Sequence, residues 1–544
     1  MASPESPEWS EARIAASLAK ILPPEENTYT VSEMRIPMPD GIKLAADFYQ
    51  PDLLADNKPH ALIYVLGPYG RKSVMALLNA KCFAARGYMV LFVSCRGTAG
   101  SGGEFVAAMT EQADSQAVVK WMREQPWYPG KFVTFGPSYL GYVQWALLRD
   151  PPEDLIASMI LCSVYDHSLL AWTNGVYRMD RISWSYAVAK LDEVTGGGVS
   201  SILDPRKLKS VIEATPLFDA TERFLDGRAP YALEFMATPN VDDPFWARCK
   251  QRPALDLVNV PLLLRSGWYD TLTVQTLAAY ACARDRGIKV YLTVGSWTHI
   301  EACGPSAMPE VFDFLDEHVA GRKKDHRPLS VQVFATGAEE WRSLPSWPPA
   351  TEERTFYLHG DKTVSSELPA ADSPPMSFTY DPHNPTPTVG GPSRARGGRV
   401  DDSVYASRAD VLVYTSAPLN EDVEVMGKPI VQLAHSTDVP YADLWIRLSE
   451  VDADGVSHNL TENWQSLDGV ERQGGEFSLT LVDRAHVFKK NTCIRVIVAG
   501  GSFPLLARNP GTGVNRTQAK ELKAVTHTVQ HGNGISKLIL PCSP

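Results

Sequence analysis

Six short, nearly continuous apolar runs between residues 61 and 295 constrain this chain more than any other feature. They are Ala61–Gly67, Tyr88–Cys95, Lys131–Gly136, Ile156–Val164, Pro261–Ser266 and Lys289–Gly295. A strand that alternates apolar and polar residues leaves one face wet, whereas a run without alternation is covered on both faces, as in parallel sheets flanked by helices. Helical spacing fills the gaps at Ser73–Arg86 and at Thr110–Arg123, where Ala113, Ala117, Trp121 and Gln125 share a stripe. Strand and helix in alternation predict an α/β domain. Ahead of it, residues 31–50 hold two β-type stretches around Pro39-Asp40-Gly41, a hairpin. Residues 1–30 are an N-terminal arm with Ile14, Leu18 and Ile21 at helical spacing before Pro23-Pro24.

The alternation breaks twice. Helical, aromatic-rich text over residues 166–250 (Trp172, Tyr177, Trp184, Phe235, Trp246) separates two sheet strands. It predicts a helical cap inserted into an α/β-hydrolase-type catalytic domain made of residues 31–165 and 251–345. Past about residue 350, helical periodicity fades, and short strands between turns, from Val411–Tyr414 to Thr492–Ala499, predict an all-β jelly-roll sandwich over 350–544. A chain of 544 residues has room for these domains.

Composition excludes several function classes. With 52 Lys and Arg against 63 Asp and Glu the net charge is −11, and no basic block stands out. Neither nucleic acid nor an anionic membrane surface is an expected partner. No apolar run approaches the roughly 20 residues that span a bilayer. The N-terminal stretch carries Glu5, Glu8 and Glu11 where a secretory signal needs positive charge, so a cytoplasmic location is expected. Eight cysteines without a CxxC or a Cys/His cluster in sequence suggest a reducing compartment and no metal site.

The chemistry concentrates at the ends of strands. Phe132–Gly136 leads through Gly136-Pro137-Ser138-Tyr139-Leu140-Gly141 into a helical stretch, a strand–turn–helix with Ser138 at its apex. Such a nucleophile elbow is usually written G-x-S-x-G, and here Leu140 stands in the second glycine's place with Gly141 one position late. A serine hydroxyl needs a base, and the base an orienting acid. Asp270 follows the run Pro261–Ser266 and His299 follows Lys289–Gly295, both just beyond carboxyl ends, where open-sheet sites lie. Their spacing is one αβ unit, so the two loops are neighbours. Of 12 histidines only His60 and His299 lie at strand ends, and His60 precedes its strand.

The segments DGIKLAADFYQP, GPYGRKS, SCRGTAGSGGEF, GPSYLGYVQWAL, SGWYDTLT and GSWTHIEACG resemble the cocaine esterase / X-Pro dipeptidyl-peptidase group of serine hydrolases, the CocE/NonD family. DPHNPTPTVGG, YTSAPLNEDVEVMGKP and SFPLLARNPGTG extend the resemblance over residues 30 to 540. The family's serine motif is G-x-S-Y-x-G, which residues 136–141 match.

The resemblance implies Ser138 as nucleophile, His299 as base and then acid, and Asp270 as its orienting partner. It also implies an oxyanion hole from the Tyr139 N–H and the Tyr69 phenol, and an acyl pocket walled by Trp172, Trp184 and Leu272. No metal or cofactor is implied. The Gly-rich loop at 97–103 is expected to be a structural turn. The expected substrate is an ester or amide of a small organic molecule. An ester is favoured, since X-Pro peptidases carry an added domain with no counterpart before residue 30. Acyl transfer, cyclisation or isomerisation by the same triad, an X-Pro dipeptidyl-peptidase-type amidase, and a non-catalytic binding protein on a hydrolase scaffold are the other readings. A homodimer is left open.

Overall fold

The apolar runs become the middle of a ten-stranded sheet. The computed structural model describes residues 10–52, 60–191, 205–322, 327–393, 397–468 and 475–544. Its sheet strands are β1 (Tyr29–Pro37), β2 (Lys43–Pro51), β3 (Leu62–Gly67), β4 (Met89–Ser94), β5 (Phe132–Pro137), β6 (Leu155–Leu161), β7 (Leu262–Tyr269), β8 (Val290–Thr298), β9 (Val331–Ala335) and β10 (Glu340–Leu344). They lie side by side in the order 1-2-4-3-5-6-7-8-9-10. From β4 across to β9 every pairing is parallel. The hairpin β1–β2 joins β4 antiparallel, and β10 closes the other edge antiparallel.

The absence of alternation has its cause in the two faces. On β3 and β4, Leu62, Tyr64, Leu66, Leu91 and Val93 enter one hydrophobic core, while Ile63, Val65, Val90 and Phe92 enter a second on the opposite face. Every side chain of these strands is therefore removed from water, and neither face can accept a polar residue without a partner.

The helices that matter to the site are α1 (Glu11–Ile21), α2 (Glu111–Arg123), α3 (Tyr139–Leu147), α4 (Thr273–Asp285) and α5 (His299–Ala302). In the N-terminal arm, α1 is capped by Ser10 and buries Ile14 and Leu18 against the second core, while Ile21 stays exposed. The helix expected at Ser73–Arg86 runs to Ala84 and is interrupted by a π-helical stretch at Leu77–Lys81. Among the described residues, no helix is long and apolar enough to cross a membrane.

Between β6 and β7 the chain makes a long excursion containing helices at Asp180–Ala189, Leu217–Leu225 and Tyr231–Ala237 and a small hairpin pairing Trp172–Thr173 with Val176–Tyr177. Its aromatics pack on one another, Phe235 lying 4.8 Å from Trp246 between ring centres, and join the first core.

The C-terminal part is all-β. Its thirteen strands pair antiparallel except for a short parallel contact of Thr363–Val364 with Thr415–Ser416, and they enclose a core of their own around Leu433, Ile446 and Val496. This domain is tied to the α/β domain by polar contacts. The Arg484 guanidinium donates to the Tyr269 hydroxyl, and that hydroxyl donates to the Asn459 carbonyl at 3.2 Å. Trp464 donates its indole N–H to the Thr173 carbonyl at 2.9 Å.

Candidate active site

Ser138 sits between β5 and α3 with φ +59° and ψ −124°, a region costly for a residue with a Cβ, on the order of 1–3 kcal/mol. The turn is tight enough to dictate its neighbours. A Cβ on Gly136 would lie 2.3 Å from the Leu140 Cβ, and one on Gly141 would lie 2.5 Å from the Ser163 Cβ. Position 140 has space for leucine because Gly67 on β3 lacks a side chain: a Cβ there would come within 2.4 Å of the Leu140 Cδ1. Displacement of the glycine from 140 to 141 thus follows from which face of α3 meets the next strand.

Two further strand ends converge on the serine. Asp270 comes directly after β7, and His299 opens α5 directly after β8. His299 Nε2 lies 3.0 Å from Ser138 Oγ, and His299 Nδ1 lies 2.9 Å from Asp270 Oδ1. The histidine is buried, and the Asp270 carboxylate is held on both oxygens. Oδ1 accepts the Leu272 N–H at 3.0 Å, and Oδ2 accepts the Ser266 hydroxyl at 3.0 Å. Burial works against the charge on Asp270, but the imidazole and these hydrogen bonds outweigh it and hold the carboxyl below its usual range. An ionised Asp270 accepts from Nδ1–H, which fixes the tautomer with its Nε2 lone pair toward Ser138. Burial pulls the His299 pKa down, yet Cys303 and Asp270 beside it prevail and raise it to about 9. The short helix α5 is fixed by a capping box in which Glu301 accepts the Thr298 N–H at 2.8 Å.

Tyr69 follows β3 and is partly exposed, and its hydroxyl receives the Trp184 indole N–H at 3.1 Å. An indole nitrogen only donates, so the phenol oxygen is the acceptor and its own proton remains for another oxygen. Tyr139 is the first residue of α3, whose N–H has no intrahelical partner. Its side chain points inward, accepting the Ala108 N–H at 2.6 Å and donating to Glu111, a carboxyl that burial pushes up to about 7. The Tyr139 ring stacks on Trp184 at 5.4 Å and 26°. Trp184, expected only as a pocket wall, therefore touches both residues expected to bind the oxyanion.

The other expected wall residues are placed differently. Trp172 is 2% exposed, gives its N–H to the Phe235 carbonyl at 2.7 Å and lies 5.2 Å from Tyr177, all within the excursion. Leu272 directs its side chain into the first core, and its contribution to the acid is the backbone N–H already described. At Asp270 a cleft of about 170 Å³ lies between the domains, lined by Thr271, Gln275, Gly391 and Trp464 among others. The Gly-rich loop folds on itself, Gly97 N–H to the Gly102 carbonyl at 3.0 Å, and a Cβ on Gly97 would lie 2.2 Å from the Phe105 nitrogen.

Sequence reasoning missed two residues here. Cys162, directly after β6, holds φ +49°, and Cys303 ends α5 with its Sγ 3.9 Å from His299 Nε2. The ligating atoms of Cys162, His299 and Cys303 all lie within 4.8 Å of one another. Burial opposes ionisation of Cys303, but a hydrogen bond from Cys162 and the neighbouring imidazole charge overcome it and bring its thiol down to about 6. Scattered in sequence, these cysteines meet because one ends the strand between those of the serine and the aspartate, and the other lies one helical turn after the histidine.

Two family models match the chain. Residues 40–301 match X-Pro dipeptidyl-peptidase (S15 family), and residues 323–539 match the X-Pro dipeptidyl-peptidase C-terminal non-catalytic domain. Among characterised relatives, a cocaine esterase of Rhodococcus sp. (strain MB1 Bresler) is 27% identical over 95% of this chain and 99% of its own length. Two solved structures share the fold: an aminopeptidase from the marine sediment archaeon Thaumarchaeota archaeon (TM-score 0.81, 22% identity) and an α-amino acid ester hydrolase (TM-score 0.80, 21% identity). Each covers 96% of this chain and 98% of its own.

Proposed function

Because the chain belongs to the CocE/NonD (X-Pro dipeptidyl-peptidase S15-like) family of serine hydrolases, we propose that it hydrolyses a carboxylic ester of a small organic molecule through an acyl-enzyme on Ser138. One observation carries the reading: the unbroken hydrogen-bond chain from Ser138 through His299 to Asp270, at 3.0 and 2.9 Å, on an elbow at the carboxyl edge of the sheet.

In the first half-reaction His299 takes the Ser138 proton on Nε2 as Oγ adds to the ester carbonyl. The buried Asp270 carboxylate steadies the imidazolium through Nδ1–H. Negative charge gathers on the carbonyl oxygen, facing the Tyr139 N–H and the Tyr69 phenol, and one such preorganised donor contributes about 2.7–4 kcal/mol to lowering the barrier. His299 then gives its proton to the departing alkoxide. Water enters and the same proton path runs once more, releasing the acid and restoring the serine.

A fluorophosphonate probe tests this. It labels the folded wild type at one site and leaves Ser138→Ala unlabelled, and p-nitrophenyl esters are turned over far faster than the matching anilides. A folded wild type that resists the probe, or anilide turnover equal to ester turnover, overturns the assignment.

A further inference from the structure

We propose that Cys162, His299 and Cys303 bind a thiophilic divalent cation, with Zn²⁺ as the prototype, and that its occupancy stops hydrolysis. The inhibitory half rests on His299 being the base; the binding half does not.

Two thiols and one imidazole are a donor set suited to zinc and its soft neighbours and poorly suited to magnesium or calcium. Around a tetrahedral ion with Zn–S near 2.3 Å and Zn–N near 2.0 Å, the donor atoms stand about 3.5–3.8 Å apart. Here Cys303 Sγ is 3.9 Å from His299 Nε2, and all three donors lie within 4.8 Å of one another. Closing that set around an ion takes contractions of at most about 1.3 Å, which side-chain χ adjustments can supply. The sites of attachment are well separated in the chain yet firmly held. Cys162 follows β6 with its N–H on the Arg265 carbonyl at 2.7 Å, and His299 and Cys303 bracket α5.

Two further observations point to a ligand. Cys162 carries its thiol into the cluster from a left-handed backbone, φ +49°, a conformation that costs a residue with a Cβ. The Asp270 carboxylate on His299 Nδ1 is also the arrangement that orients a metal-bound histidine, because it leaves the other nitrogen's lone pair outward. That lone pair is the one Ser138 needs. An ion on Nε2 removes the base, and Ser138 Oγ, 3.0 Å from the same nitrogen, or a water occupies the fourth position. Ser138 and Cys303 are both partly exposed, so the ion enters by the substrate's route, and the two thiol protons leave to solvent.

The experiment uses the full chain stripped of metal, with Co²⁺ as optical probe and Zn²⁺ as inhibitor. Expected are a thiolate-to-cobalt charge-transfer band in wild type and in Ser138→Ala, and a loss of affinity of at least about tenfold in Cys162→Ser and in Cys303→Ser. Zn²⁺ should inhibit p-nitrophenyl ester hydrolysis reversibly by EDTA, and each cysteine variant, scaled to its own metal-free rate, should need correspondingly more. No band in wild type, or a band that survives in both cysteine variants, refutes the site and leaves two thiols that only pack. A band without inhibition keeps the site and refutes the part played by His299, which separates failure here from failure of the fluorophosphonate test.

Discussion

Trp184 gives its indole N–H to Tyr69 and its ring face to Tyr139, and a double-variant cycle measures what that junction does. On the proposed mechanism Tyr69→Phe deletes one oxyanion donor and should lower kcat by about 10²–10³, the 2.7–4 kcal/mol of such a donor. Trp184→Phe keeps a ring to stack on Tyr139 but removes the N–H that orients the phenol. The loss is one neutral hydrogen bond, about 0.5–1.5 kcal/mol, or roughly two- to thirteenfold in kcat. If Trp184 acts through Tyr69, the double variant is no slower than Tyr69→Phe alone, and the coupling equals the whole effect of Trp184→Phe. The assay is steady-state hydrolysis of a p-nitrophenyl ester with a short acyl group, which makes little use of a pocket wall. Losses that multiply, or a Trp184→Phe variant that raises KM at unchanged kcat, would refute the orienting role and leave Trp184 as a wall.

Three other outcomes are expected. His299 must be neutral to accept a proton, and since Cys303 and Asp270 outweigh burial to raise its pKa to about 9, kcat/KM should climb with pH beyond the ordinary histidine range. Cys303→Ala removes one of the two neighbours that raise it and should move that limb to lower pH; an unmoved limb contradicts the assignment. Gly141→Ala places a Cβ 2.5 Å from Ser163 and should cost about 1–3 kcal/mol by overpacking, read as a lower Tm, while Gly475→Ala, facing open space, leaves Tm unchanged. A fragment of residues 1–345 loses the Arg484 and Asn459 partners of Tyr269, next to the acid, and should be insoluble or inactive; full activity in that fragment would show that the β domain does not support the site.

What could be read from the sequence depended on how local its cause was. The parallel sheet was legible because two apolar faces erase alternation in β3 and β4 themselves. Asp270 and His299 were legible as strand-end residues, since position past a strand is a one-dimensional fact. The glycine at 141 made sense only with Ser163 and Gly67 in view, because its cause is the approach of other strands. Similarly, the π-helical break at Leu77–Lys81 left no trace in the apolar spacing. Trp172 and Trp184 look alike as aromatic residues of the excursion, yet one is fastened to Phe235 and the other to Tyr69. Cys162 and Cys303 stayed unlinked because no spacing rule connects the ends of two strands separated by a third.

The excursion between β6 and β7 reaches the candidate site through Trp184. Its two anchors are paired directly in the sheet, Ser158 opposite Leu262, so lengthening a flexible connection within it burdens the scaffold little, each doubling adding only about 0.6 kcal/mol, whereas replacing its packed aromatics would open the first core. A graft in its place therefore has to refill that core, and one that brings no indole to the phenol of Tyr69 should turn over its substrate roughly two- to thirteenfold more slowly.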